Sequence, residues 1–277
     1  DLIATIADEL HQRGIQLFDH HSCTLVHRYG NREEMRNVKN HSGPHLPFSP
    51  SWQAAASWEY KGRKLNDWRM IDTRTGDVLY QPFYTAEEFC FNNPEFIQAY
   101  QDYVRYLLAE TGIDGLMCDD AIYFHGYTSC GCACCRERFR REYGHELPDP
   151  DDRSFWGNWK NPAWRDWIEM RYRSNGDFLL QVKNVLPEDF PFLSCCTGSS
   201  FGAHNNTGCD VQQFVRSCNI VHLEMAGNIV PVDDQATWNF PISHKLVMAS
   251  HHLAAAEKAD LPCLGIGFGF GEASAHL

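Results

Sequence analysis

The chain has 277 residues, 43% hydrophobic and 22% charged, enough apolar material for one large domain and unlike a disordered composition. A formal net charge of −12 disfavours nucleic acid, whose phosphates demand clustered Lys and Arg, and it equally disfavours an anionic membrane surface. No apolar run approaches the roughly 18 residues needed to span a bilayer, and the opening residues do not read as a charged-then-apolar leader.

Leu2, Ile3, Ile6, Ala7 and Leu10 recur at helical spacing, and Gly14 supplies a stop. A strand is expected over 15–18, with Asp19, His20, His21 and Ser22 at its C-terminal end. Residues 28–92 have weak periodicity, with one further strand expected over 77–84. Asn93 and Pro94 then open a helix. Its apolar face is expected to carry Phe96, Ala99, Tyr100, Tyr103, Tyr106 and Leu107, and Gly112 ends it. A buried strand over 113–118 runs into Asp119 and Asp120.

Beyond it come a basic helix over 136–143 and a long helix over 162–185. A strand over 190–196, a helix over 211–218 and a strand over 220–224 follow, then a helix over 242–259 and a strand over 263–268. Non-alternating apolar strands between helices imply parallel strands covered on both faces. Polar groups cluster directly after those strands (Asp119-Asp120, Thr197 to Ser200, Glu224, Glu272), where barrel enzymes keep their sites. The Gly-rich phosphate turn of a nucleotide-binding open sheet is missing after the first strand. The expectation is therefore a single (β/α)₈ TIM barrel over 1–277. It lacks its first and last strands, so the chain reads as a segment of a longer protein.

Twelve cysteines would fit secretion, but their placement points elsewhere. Cys118, Cys195, Cys196 and Cys263 sit in apolar runs, where a thiol behaves as a small hydrophobe. A reducing, cytoplasmic compartment is the simpler expectation. Cys130-x-Cys132-x-x-Cys135 puts three thiolates within reach of one tetrahedral ion. Cys90 is the best fourth ligand, ahead of Cys134 and His125. Four thiolates close the shell, so zinc here would be structural, pinning a loop after the fourth strand.

Three segments carry a resemblance. Phe89-Cys90-Phe91-Asn92-Asn93-Pro94-Glu95-Phe96, Gly112-Ile113-Asp114-Gly115, and the run from Cys130 through Arg136, Arg138, Phe139, Arg140, Tyr143 and Gly144 together resemble the family 42 β-galactosidases and related glycosidases. The similarity covers roughly 85–145. It implies zinc on Cys90, Cys130, Cys132 and Cys135, an acid/base at Asp120, a nucleophile at Glu272 and a homo-oligomer, commonly a trimer. The family closes its fourth strand with Asn-Glu, whereas this chain has Asp119-Asp120. β-Galactosidase activity is therefore not carried over.

Glycoside cleavage needs two carboxyl groups across the scissile bond. Asp120 with Glu272 is one pairing; Asp120 or Asp119 with Glu224 is the other, as in barrel glycosidases with aspartates after strands four and six. Side chains alternate along a strand, so at most one of Asp119 and Asp120 is expected to face the barrel centre. His20, His21, His204, Asn205 (with Asn206) and Trp238 are candidate sugar contacts, while Trp52, Trp58, Trp68, Trp156 and Trp159 are mostly expected to pack. The leading expectation is a glycosidase of carbohydrate metabolism that cleaves a small glycoside or oligosaccharide. The alternatives are a diverged, non-catalytic carbohydrate-binding barrel and a metal-dependent isomerase or lyase using His20-His21.

Overall fold

The computed structural model describes residues 2–27, 59–81, 86–197, 205–225, 229–232, 235–238 and 242–267. Helix α1 (Leu2–His11) leads into β1 (Phe18–Ser22) and β2 (Leu25–His27). Two short antiparallel units follow: the hairpin β3 (Glu59–Tyr60) with β4 (Arg63–Lys64), and a three-stranded sheet in which β5 (Tyr80–Gln81) and β2 flank β6 (Ala86–Glu88). Helix α2 (Pro94–Thr111) precedes β7 (Gly115–Asp119). Beyond it lie α3 (Ala133–Tyr143), α4 (Pro162–Lys183), β8 (Phe192–Thr197), α5 (Val211–Ser217) and β9 (Val221–Met225). The hairpin of β10 (Ile229–Val232) and β11 (Gln235–Trp238), then α6 (Ile242–Lys258) and β12 (Cys263–Gly267), complete the order.

Five strands form one parallel sheet in the order β1-β7-β8-β9-β12. Sequence order and spatial order coincide, with no reversal of the kind a doubly wound sheet contains. The helices follow suit: α1 touches α2, α2 touches α4, α4 touches α5 and α5 touches α6. This singly wound αβ arrangement has the topology of a TIM barrel.

The two faces of the sheet differ. Leu116, Cys118, Phe192 and Val221 share the main core with Phe96, Val104 and the other helical residues packed over them. The opposite face carries a small separate cluster of Met117, Leu193 and Cys195. Among the described residues helices thus cover one face only, and the expectation of cover on both faces is corrected. A barrel produces this asymmetry because its inner face packs on itself.

Three further expectations change. The strand foreseen over 77–84 is Tyr80–Gln81 and belongs to the antiparallel sheet, so β1 pairs directly with β7. The parallel sheet therefore has five strands among the described residues, against the six implied by a barrel lacking only its first and last. The strand foreseen at 15–18 is displaced to Phe18–Ser22, so Asp19, His20 and His21 lie within it. On α2 the buried stripe is Phe96, Tyr100, Val104, Leu107 and Thr111, whereas Tyr103 and Tyr106 are exposed. The ends of that helix are as foreseen. The Asn93 side chain accepts from the backbone N–H groups of Glu95 and Phe96, and Gly112 takes the left-handed conformation that closes the last turn.

A second core forms beside α3 and α4 from Phe139, Phe155, Trp164, Trp167 and Ile168, with Trp156 against it. Trp68 is buried as well. Both tryptophans are packing residues. Trp52, Trp58 and the Gly-rich run beyond Gly267 lie outside the described residues. No helix among the described residues is long and apolar enough to cross a membrane.

Candidate active site and candidate metal centre

Register alignment shows which side chains share the inner face. Ser22 pairs with Asp119, Met117 with Leu193, and Cys195 with His222. Alternation along each strand then puts His20 and Ser22 on the inner face with Asp119, Cys195, His222 and Glu224. His21 falls on the other face. Its ring hydrogen-bonds the Tyr100 hydroxyl at 2.6 Å through Nε2 and Asp19 at 2.6 Å through Nδ1. His21 is therefore tied beneath α2, away from the barrel centre, which corrects its assignment as a sugar contact. The proposed His20-His21 metal pair is split by the same alternation.

Asp119 and Asp120 are brought together after all. Asp119 ends β7 facing inward, and its carboxylate meets His20 Nε2 at 3.0 Å. Asp120 leaves the strand in the left-handed region, with φ of 57°. Aspartate tolerates this region better than most residues. Regular alternation is broken at that residue, and the Asp120 carboxylate turns back to accept a hydrogen bond from Ser22 Oγ. The turn is pinned twice more: the Asp120 N–H donates to Asp119 Oδ1 at 2.8 Å, and Thr24 Oγ1 donates to the Asp120 carbonyl at 2.5 Å.

The consequence is electrostatic. Asp120 is buried, and desolvation first, then the charge of Asp119, push its pKa up to about 7. Glu224 adds to the rise, while the Ser22 hydrogen bond and His20 oppose it. His20 is itself raised, chiefly by its hydrogen bond to Asp119. On β9, Glu224 accepts the Cys195 thiol at 2.9 Å. Burial and the surrounding negative charge hold that thiol well above its ordinary pKa, so it stays a donor. One carboxyl poised near neutrality beside others of like charge is the environment that separates an acid from its partner.

The remaining candidates divide. Asn205 is engaged elsewhere: its side-chain oxygen accepts the Tyr172 hydroxyl and its carbonyl accepts Arg171 Nη1 at 2.8 Å. Arg171 is fully buried, stacks 4.4 Å from the Tyr123 ring, and also donates to the carbonyls of Ser129, Gly126 and Asn206. Asn205 thus helps fasten the segment after β8 onto α4, and its side-chain oxygen is already engaged there. Trp238 lies in β11, with its side chain outside the described residues, as do His204 and Glu272. Sequence reasoning missed Ser22 and His222 as members of the site. The signal for His222 was available, because it lies two residues before Glu224 in a strand and therefore on the same face.

Cys90, Cys130, Cys132 and Cys135 converge, with all four sulfurs within 4.8 Å of one another. Cys90 is 3.5 Å from both Cys132 and Cys135. A tetrahedral ion with bonds of about 2.3 Å needs sulfurs about 3.8 Å apart, so the set fits a metal such as zinc. Outer contacts support it. The Cys132 N–H points at Cys130 Sγ (3.4 Å), and Asn92 Nδ2 points at Cys135 Sγ (3.3 Å). Asn92 is in turn held by Arg138 at 2.8 Å. His125 is occupied by Glu88 at 3.2 Å, and Cys134 lies outside the set. Among the described residues no other group of His, Cys, Asp and Glu converges in this way.

No family model and no curated protein matches the chain. Solved structures do. The PgaB (BpsB) glycoside hydrolase domain from Bordetella bronchiseptica is 14% identical with a TM-score of 0.56, over 94% of this chain and 62% of that one. The catalytic domain of β-amylase from Paenibacillus polymyxa is 10% identical with a TM-score of 0.55, over 98% and 74% respectively. At such identities the likeness is one of fold: an α/β architecture matching TIM-barrel glycosidases. The chain spans less than two thirds of the length of the PgaB domain.

Proposed function

We propose that the chain is a glycoside hydrolase acting on a small glycoside or oligosaccharide, with Asp120 as proton donor and Glu224 as the second carboxyl group. The observation that carries this reading is the buried Asp120, hydrogen-bonded to Ser22 of the inner face, with its pKa pushed up to about 7 by burial and by the charges of Asp119 and Glu224. The donor delivers its proton to the departing glycosidic oxygen, while the partner carboxylate either attacks the sugar carbon or activates water. Asp119 raises the donor's pKa and orients His20. The family 42 resemblance would give the partner's role to Glu272 instead. Glu224 is preferred because its charge acts directly on Asp120.

The test is release of nitrophenol from a panel of α- and β-linked nitrophenyl hexopyranosides. Turnover of one of them by the wild-type chain, lost on Glu224→Gln, supports the assignment. Activity that survives Glu224→Gln and falls with Glu272→Gln moves the second role to Glu272, and a panel without turnover leaves carbohydrate binding as the reading.

A pH dependence follows with a definite sign. Asp120 acts while protonated, so kcat/KM is expected to fall tenfold per pH unit above about 7. Asp119→Asn removes a charge that raises the donor's pKa, so this alkaline limb moves to lower pH. A limb that stays in place would mean that Asp119 does not act on the donor.

The four cysteines are assigned to a structural zinc ion that ties the start of α2 to the loop after β7 and to α3. With its shell filled by these four thiolates, a bound ion would supply cross-linking and no reactive water. Gly131 matters here. A Cβ on it would lie 2.8 Å from the Thr73 Cα, while its N–H donates to the Ile71 carbonyl at 2.7 Å. Gly131→Ala is therefore expected to displace the Cys130–Cys132 turn and weaken zinc binding 10- to 100-fold in a competition titration against a chromophoric chelator. Unchanged affinity would show that the turn adapts.

A further inference from the structure

His222 is 2% exposed, and neither of its ring nitrogens has a hydrogen-bond partner among the described residues. Leaving buried polar atoms unsatisfied costs stability, and folded proteins rarely tolerate it without a reason. The ring lies on the inner face of β9, in the register row that runs from Ser22 through Asp119 and Cys195 to His222 and Leu264. Glu224 follows two residues later on the same face, about 6.6 Å nearer the mouth at the usual rise per residue. This separation is comparable to the depth of one sugar ring.

The chemistry of the ring narrows what completes it. Burial holds His222 below its ordinary pKa, against the pull of Asp119, so the imidazole is neutral. A neutral imidazole offers one donor and one acceptor. An anion would face Asp119, whose charge already acts on the ring. A metal ion would need converging ligands, and His20, His222 and Asp119 do not converge. Hydroxyl groups, which both donate and accept, match this donor–acceptor pair.

We propose that His222 is the floor contact of the sugar site, exchanging two hydrogen bonds with hydroxyl groups of a hexopyranose held beneath Asp120 and Glu224. The inference rests on the carbohydrate reading of this face and deepens it by naming a specificity residue. Because a site built to bond a hydroxyl leaves its own groups unpaired when the hydroxyl is missing, His222 would discriminate against deoxygenated sugars.

The experiment uses the whole chain with ¹⁵N-labelled histidine, titrated with D-galactose, D-glucose, D-mannose and L-fucose, and the same sugars in calorimetry with His222→Phe and His222→Asn. The expected result is a saturable shift of the His222 ring nitrogens with at least one sugar. His222→Phe should weaken that sugar about ten- to hundredfold, and His222→Asn should weaken it less. The wild-type ring signals still decide the matter if His222→Phe does not fold. An unmoved ring, equal affinity in wild type and His222→Phe, or no binding of any of the four overturns the inference. Glycoside turnover with an unmoved ring would leave the hydrolase reading standing without it, whereas a shifted ring with no turnover would do the reverse.

Discussion

If the four-cysteine site holds zinc as proposed, stripping the metal is expected to unfold the region between β6 and α3. Cys90 precedes α2, whereas Cys130, Cys132 and Cys135 run from the loop after β7 into the first turn of α3, so one ion bound there would join two segments about 40 residues apart. Apparent binding free energies for structural zinc are about 10–16 kcal/mol at neutral pH, comparable to or larger than the whole stability of an ordinary domain. Cys130→Ser should therefore give a protein that aggregates or melts far below the wild type. Chelation at elevated temperature should have the same effect, reversed by added zinc. The check is metal content by elemental analysis alongside thermal unfolding. A metal-free chain with an unchanged melting temperature would remove the structural role from these cysteines.

Asp120→Asn carries the second large effect. The amide keeps the size of the side chain and can still meet Ser22, but it has no proton to give. General acid catalysis is worth about 10²- to 10⁴-fold, so turnover of substrates with poor leaving groups should fall by that factor. Stability should change little or rise, because a buried carboxyl that titrates near 7 becomes a neutral group. Loss of activity together with loss of fold would instead point to a structural part for Asp120, as its tight hydrogen bonding to Ser22 and Thr24 would allow.

Much of this was legible in the sequence because the signals were local. The cysteine spacing and the Asn93-Pro94 helix start, with Gly112 as its stop, each depend on a few neighbouring residues, and each is found where expected. What failed needed non-local information. Tyr80–Gln81 has the composition of a strand, but no local pattern says which sheet it joins. The His20-His21 pair looks like one polar cluster until the strand frame is fixed, and a shift of a few residues in the strand decides which imidazole faces inward. Asp119 and Asp120 were expected to diverge, and the left-handed turn at Asp120 that unites them leaves no mark in composition.

The most direct test compares Asp120→Asn with wild type on aryl glycosides that share one sugar and differ in the acidity of the departing phenol. If Asp120 protonates the glycosidic oxygen, the loss should be large for a weakly acidic phenol and small for 2,4-dinitrophenol, which departs without a proton. An equal loss across the series, or none, would contradict the assignment of Asp120 as the proton donor.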